Sequence, residues 1–121
     1  MTAGAALGMA GIDLPGVEAG IAASAIVLGV AVLAALRAPA PVAMLMVGAF
    51  AIFHGHAHGT GLPLSANAVS YGAGFVLATT SLHLAGVGIG GLIRWPAGRI
   101  AVRTLGGAIA LTGTAFLARV L

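Results

Sequence analysis

The chain has 121 residues, of which 60% are hydrophobic and only 6% are charged, and its mean hydropathy is +1.16. Because a soluble domain has about a quarter of its residues charged, two acids and five arginines exclude a water-soluble protein of this size, and the apolar surplus must face lipid. The absence of cysteine excludes disulfides, zinc–thiolate sites and thiol catalysis, and the arginines are too scattered to predict nucleic-acid binding.

The predicted fold is an all-α membrane protein, a bundle of about four transmembrane helices in a single domain over residues 1–121, with a partial helix at the N-terminus. The apolar opening at residues 3–10 is too short to span a bilayer, which requires about 20 residues. Turns rich in proline, glycine or arginine interrupt the apolar sequence at 11–16, 37–41, 59–65 and 94–99. The four helices are therefore predicted at about 17–36, 42–58, 67–93 and 101–121.

The arginines predict the orientation in the membrane. Arg37 lies in the loop after the first full helix, and Arg94, Arg99 and Arg103 lie in or beside the loop before the last one. Because positively charged loops stay in the cytoplasm, this end of the bundle should be cytoplasmic. The opposite end, which carries Glu18 and a cluster of histidines, should then face outward.

Glycine is abundant, at 20 of 121 residues, and glycines four residues apart often lie where membrane helices pack closely. With so many glycines, roughly three such pairs are expected by chance, so their spacing alone does not identify a packing face. The pairs considered are Gly16/Gly20, Gly55/Gly59 and Gly86/Gly90.

Three of the four histidines lie within residues 54–58, at the outer end of the second full helix. His54 and His58 are four residues apart, which puts both imidazoles on one helix face, where neutral ring nitrogens can share a divalent transition metal. His56 points to the other side of an ideal helix and joins the same ion only if Gly55 and Gly59 let the helix end unwind. A single histidine at a membrane boundary is usually interfacial, but three so close together favour metal contact. Imidazole ligands alone do not identify the metal.

Two further ionisable residues are candidates for the same chemistry. Glu18 begins the first full helix, where it is either a hard ligand that attracts cations or a solvated interfacial charge. His83 lies about 24 Å along its helix and must face the bundle interior, either as a deeper ion site or as a histidine satisfied by helix packing. Hydroxyls at residues 79–81 are available to orient its ring, and they are equally consistent with a histidine satisfied by packing. At this depth His83 need not share an ion with His54, and the two can be successive sites along a path. Asn67 fits helix capping better than ion binding.

The residues match a known family over nearly the whole chain. The runs that carry the match are Leu14–Ser24, Phe53–Gly59, Tyr71–Thr79 and Leu82–Gly86. Together they resemble the hydrogenase/urease accessory membrane proteins of the HupE/UreJ type, and the HGHAHG core is specific. The resemblance implies a nickel or cobalt permease that supplies metalloenzyme maturation, with the ion as transported substrate and no organic cofactor. It also implies metal contact for Glu18, His54, His56, His58 and His83.

Two departures from the family pattern are present. Family members usually have a glutamate after the histidine cluster, where this chain has Gly61. The family also begins with a signal peptide and two further helices with an HPxxGxDH-type motif, so the chain, which starts at Met1 without them, is expected to be the C-terminal part of a longer architecture. Polar seams left by missing helices would have to be covered by a second copy or a partner subunit.

Two other functions are consistent with the sequence. One is a small b-type cytochrome subunit, in which His54 or His58 ligates haem together with His83 of another helix, although the difference in depth argues against it. The other is a structural or assembly subunit that binds no ligand. An enzyme is not expected, because the sequence has no nucleophile–base constellation, phosphate loop or paired carboxylates.

Overall fold

The computed structural model describes residues 1–62 and 67–121. In these residues the chain forms five α-helices and one 3-10 helix, and no strand. The elements are α1 (Thr2–Met9), α2 (Val17–Leu33), α3 (Ala40–Thr60), α4 (Ala68–Gly90), a 3-10 helix (Gly91–Arg94) and α5 (Pro96–Val120). The predicted all-α fold with a partial N-terminal helix is confirmed. Residues 63–65 of the predicted 59–65 loop lie outside the described residues.

Three segments are long and apolar enough to cross a membrane: α3, α4 together with the 3-10 helix, and α5, which have 21, 27 and 25 residues. α2 is also apolar but has 17 residues, slightly fewer than the roughly 20 that span a bilayer core. Large apolar side chains such as Leu45, Val69 and Leu77 lie exposed on the surface, where lipid would cover them. The chain is therefore a multi-pass α-helical membrane protein.

α2 ends at Leu33, before the predicted end at residue 36. Ala35 adopts a left-handed φ of 53°. The Leu36 N–H donates to the Ala31 carbonyl at 2.9 Å, and the Ala35 N–H donates to the Val32 carbonyl at 3.1 Å. This is the Schellman pattern, which satisfies the last helical carbonyls and turns the chain away from the helix axis. An alanine pays for this conformation through contact of its Cβ with the backbone.

Replacing Ala35 with glycine should therefore raise the free energy of unfolding by about 1 kcal/mol, because glycine adopts a left-handed φ without a Cβ contact. The same change at the neighbouring Ala34, whose φ is −78°, should lower it by up to about 1 kcal/mol, because glycine loses more backbone entropy on folding. Thermal unfolding of both variants in detergent measures the difference. Equal shifts at the two positions would be inconsistent with a left-handed Ala35.

Prolines lie inside the first turns of α3 and α5, where turns were predicted. α3 begins at Ala40, before the predicted residue 42, with Pro41 as its next residue, and α5 begins at Pro96, before the predicted residue 101. Proline is accepted there because the first helical amides have no intrahelical partner and the fixed φ of proline suits a helix. α4 changes to 3-10 geometry at Gly91, before its predicted end at residue 93. α3 continues to Thr60, so the whole histidine cluster is helical.

α1 packs parallel to α3 through glycines on both helices. A Cβ atom on Gly4 would collide with the backbone of Ile52, and a Cβ atom on Gly59 would collide with the backbone of Ala5. The two backbones are therefore in direct contact, as is common where small residues line a membrane helix interface. This contact, called the α1–α3 seam below, consists of Gly4 and Gly8 of α1 and Gly55 and Gly59 of α3.

α2 packs antiparallel on α5. Gly29 of α2 lies against Ala110, and Ala22 lies against Gly113, so the contact runs in opposite chain directions along the two helices. A Cβ atom on Gly29 would come within 2.7 Å of the Ala110 amide nitrogen. α2 and α5 thus form a second closely packed pair, next to the pair formed by α1 and α3.

Four of the five arginines lie at the end of the bundle opposite the histidine cluster, and Arg119, in the last turn of α5, lies at the histidine end. The Arg103 Nε donates to the Leu33 carbonyl at 2.6 Å, which satisfies a carbonyl at the end of α2 that has no intrahelical donor. This contact holds the start of α5 at the end of α2 and brings Arg103 to the end of the bundle where Arg37, Arg94 and Arg99 lie. The loop between α1 and α2, the last turn of α3 and the first turn of α4 lie at the other end.

α4 packs least of the five α-helices, and none of its residues is buried. A Cβ atom on Gly86 or Gly90 would meet no other atom within 4 Å, so this predicted glycine pair packs against no other described part of the chain. Asn67 caps the helix, since its Oδ1 accepts hydrogen bonds from the Val69 and Ser70 amides at 3.0 Å. The predicted capping role of Asn67 is confirmed.

Candidate functional site

The last two turns of α3 present different residues to three neighbouring helices. The side buried against α1 consists of Gly55, His56 and Gly59. On a second side, the Phe53 ring lies where a Cβ atom on Gly20 of α2 would be. His54 and His58 share the remaining side, because residues four apart lie on one helix face, and this side is directed toward α4. Helical geometry through Thr60 thus separates His56 from the other two histidines.

His58 joins α3 to α4. Its ring centroid lies 5.1 Å from that of Phe75, with the rings tilted by 51°. The Tyr71 hydroxyl donates to the His58 carbonyl at 2.9 Å. The two contacts hold the first turns of α4 against the last turn of α3. Phe75 is absent from the predicted site residues, although its spacing of four from Tyr71 is a signal that both lie on one face.

His54 and His83 have the same arrangement of ring nitrogens. His54 Nδ1 lies 3.3 Å from the Phe50 carbonyl, and His83 Nδ1 lies 2.6 Å from the Thr79 carbonyl, each one turn back in its own helix. A neutral imidazole that donates from Nδ1 has its lone pair on Nε2. A backbone hydrogen bond of this kind fixes the tautomer and the orientation of metal-binding histidines. Both rings are therefore prepared to offer Nε2 to a cation.

The Thr79 and Ser81 hydroxyls donate to backbone carbonyls and not to His83. Thr79 Oγ1 donates to the Phe75 carbonyl at 2.8 Å, and Ser81 Oγ donates to the Leu77 carbonyl at 2.9 Å. In a helix these short side chains reach the carbonyl one turn back more readily than they reach a neighbouring side chain. The backbone carbonyl of Thr79, and not its hydroxyl, bonds to His83.

His83 is exposed and does not lie in the bundle interior predicted for it, because no residue of α4 is buried by the rest of the described chain. It lines a cleft of about 390 Å³ between α4 and the helices α1 and α3. Thr2 of α1 and Ala51 of α3 form one wall, and the face of α4 over residues 76–87 forms the other. Ala51 precedes His54 by about one helical turn and lies on the same side of α3. His54 is therefore placed above this wall, at the outer end of the cleft.

The histidines on the α3 and α4 walls descend in steps from the outer end of the bundle. The contact between His58 and Phe75 places these two residues at a similar depth. His54 is four residues before His58, or about 6 Å deeper, and His83 is eight residues after Phe75, or about 12 Å deeper. His54 therefore lies about midway in depth between His58 and His83.

No three histidine, aspartate or glutamate side chains come close enough to hold one ion together within residues 1–62 and 67–121. His54, His58 and His83 are arranged along a line and do not surround a single point. A cation can contact two imidazoles at the outer end and a third farther in. Sites with few ligands suit the passage of an ion better than its storage, because passage requires release.

His56 lies on the opposite side of α3 from this line. Its side chain is only 4% exposed, and its Nε2 lies 2.7 Å from the Ile12 carbonyl in the loop between α1 and α2. Its Nδ1 is buried and has no hydrogen-bond partner among the described residues. Since α3 stays helical to Thr60, the unwinding that would bring His56 to the other histidines is not present.

Glu18 lies in the first turn of α2 and is exposed. Gly20, two residues later, is the position that faces Phe53 of α3, and residues two apart on a helix point to nearly opposite sides. Glu18 instead continues the row of Ala22 and Gly29, which packs on α5. Glu18 shares the outer end of the bundle with the histidines but does not point to the α3 face that packs against α2.

Comparison with known proteins gives two matches. Residues 1–116 match the family model described as HupE / UreJ protein. Protein HupE of Rhizobium leguminosarum bv. viciae is 46% identical over 117 residues, which cover 97% of this chain and 61% of that protein. The chain thus spans about three-fifths of the length of the curated relative that it matches. No solved structure matches the chain.

Proposed function

Because the chain belongs to the HupE/UreJ family, we propose that it carries nickel or cobalt ions across a membrane, by way of His54 and His58 and then His83. The observation that carries this proposal is the common orientation of these histidines. His54 and His58 occupy the face of α3 that is directed toward α4, and His83 lines the cleft between the same two helices. The family resemblance supplies the class of ion.

The proposed path exchanges water for imidazole in two steps. A hydrated ion would lose part of its water to the Nε2 atoms of His54 and His58, which are ligands that nickel and cobalt favour. It would then pass to Nε2 of His83, about 6 Å farther in than His54. The backbone carbonyls of Phe50 and Thr79 would keep two of these rings oriented throughout. Two or fewer imidazoles at each step leave the ion free to move on.

Acidic residues would serve the path from a distance. Glu18 and Asp13 are exposed at the outer end of the bundle, where Arg119 in the last turn of α5 offsets one of their two charges. The remaining negative charge would raise the local concentration of cations. The position of Glu18 on the row that packs on α5 favours this role over direct contact with the ion. His56 faces α1 and is not among the ligands proposed for the path.

The proposed setting follows the resemblance and the arginines. The protein would lie in a bacterial inner membrane with its histidine cluster on the periplasmic side, and would supply ions for the maturation of enzymes such as hydrogenase or urease. It would catalyse no reaction and require no organic cofactor. Since no residue of α4 is buried, this helix would pack in the membrane against a second copy or a partner subunit.

Equilibrium binding of nickel to the purified chain in detergent tests the proposal. Saturable binding is expected, with cobalt as a competitor and with little effect of excess magnesium, because imidazole binds late transition metals better than hard cations. Absence of saturable binding, or equal displacement by magnesium, would count against the proposal. A Soret band in the absorption spectrum of the same preparation would indicate a haem protein instead.

A further inference from the structure

His56 is the least exposed of the four histidines and makes a long-range contact. Its Nε2 lies 2.7 Å from the carbonyl of Ile12, a residue 44 positions earlier in the chain. Because a carbonyl can only accept, the ring must donate from Nε2. The Ile12 amide in turn donates to the Leu7 carbonyl at 3.1 Å at the end of α1. The backbone of Ile12, in the loop after α1, thus bonds both to the end of α1 and to the last turns of α3.

Neither nitrogen of His56 is available to an ion. Nε2 carries the proton that Ile12 accepts, and Nδ1 is enclosed with no partner among the described residues. The backbone of His56 faces Gly4 and Gly8 of α1, and the residue is only 4% exposed. Metal contact at His56 would therefore require the α1–α3 seam to open.

The contact supports a weak part of α3. Gly55 and Gly59 lie within its last two turns, and glycine inside a helix costs about 1 kcal/mol relative to alanine. The helix nevertheless continues to Thr60, because α1 packs against these glycines and the Ile12 loop bonds to His56. Helical geometry in this segment is what places His54 and His58 on one face.

We propose that His56 is a positioning residue: its bond to Ile12 holds the end of α3 helical, so that His54 and His58 face the ion together. The effect of His56 on ion binding rests on the proposed function. The hydrogen bond between His56 and Ile12 does not. It changes the ligand set that the family resemblance implies, since the middle histidine of the motif acts through the fold and not through the metal.

Two substitutions separate positioning from ligation. His56→Gln keeps a donor at nearly the position of Nε2, because the glutamine amide reaches about as far as the imidazole. His56→Ala removes the donor while favouring the helix by intrinsic propensity. Nickel affinity should fall about 10-fold in the alanine variant, as is typical when a group that orients a ligand is removed, and should recover in the glutamine variant. X-ray absorption should count the same number of imidazoles per bound nickel in all three proteins. One imidazole fewer in both variants would overturn the proposal.

A measurement without metal tests the contact independently. Because the chain contains no cysteine, Asp13→Cys and Met44→Cys provide two unique and exposed sites for spin labels, one in the loop and one on α3. Their separation, on the order of 20 Å from the helical rise, suits pulsed electron paramagnetic resonance. The distance distribution should be narrow in the parent and with His56→Gln, and broad with His56→Ala.

Nickel binding and the spin-label distances together show whether the proposed ion transport or the positioning role of His56 is wrong. Distance distributions of equal width in the three spin-labelled proteins would show that the bond between His56 and Ile12 does not hold the end of α3. This outcome would overturn the proposal whatever the nickel affinities are. A parent chain that binds no nickel would instead overturn the proposed function, and with it the consequence of His56 for the ion. Broadening with His56→Ala, together with rescue of width and affinity by His56→Gln, is the result that the structure predicts.

Discussion

Replacing His54 and His58 together with alanine should reduce nickel affinity by at least about 100-fold, because removal of even the groups that orient metal ligands costs 10–100-fold. Both imidazoles lie on the face of α3 directed toward α4, and they are the first ligands that an ion from the outer end would meet. Each single substitution should have a smaller effect, since one imidazole remains. Equilibrium binding to the purified variants measures these losses, and nickel uptake by cells that express them measures the consequence for transport.

Matched controls separate ligands from nearby charge. Glu18→Gln should change the nickel affinity by less than about 3-fold at physiological ionic strength, because an exposed charge away from the ligands is screened. His83→Ala should leave the outer affinity unchanged but stop uptake, because the next site on the path is missing. Parent-like binding by the variant lacking both His54 and His58 would rule out the proposed outer site. A large effect of Glu18→Gln would show that its carboxylate contacts the ion.

Composition and the turns between long apolar runs predict most of the fold, because lipid leaves helices as the main way to satisfy the backbone. What they miss lies at the helix ends. Pro96 marks a turn in the sequence but begins α5, since a proline in the first turn loses no hydrogen bond. Ala35 gives no sign of ending α2, because the left-handed position that it occupies is usually filled by glycine.

The candidate site, like the fold, could be predicted only in part from the sequence. The spacing of His54, His56 and His58 predicts that the middle ring points away from the other two, which the helix to Thr60 confirms. Spacing contains no information on what lies behind that middle ring. The Ile12 carbonyl that bonds to it belongs to a loop brought there only by the packing of α1. The direction of Glu18 likewise depends on which side of α2 packs on α5.

The second large predicted effect is on stability, and it concerns Gly59 of the histidine motif. Gly59→Ala should lower the free energy of unfolding by about 2–3 kcal/mol, because overpacking a close contact forces backbone shifts. Its Cβ would collide with the backbone of Ala5, which cannot rotate away as a side chain can. Denaturation in mixed micelles, followed by circular dichroism, measures the change.

The same substitution at Gly86, measured on the monomer in micelles, is the matched control, because a Cβ atom there would meet no other atom of the chain within 4 Å. Gly86→Ala should raise stability by up to about 1 kcal/mol, as alanine favours a helix over glycine. Opposite signs at two helical glycines would show that Gly59 is required by the α1–α3 seam. If Gly59→Ala were neutral, α1 would not pack on this face. The burial of His56, which separates it from the face proposed to bind the ion, would then be lost.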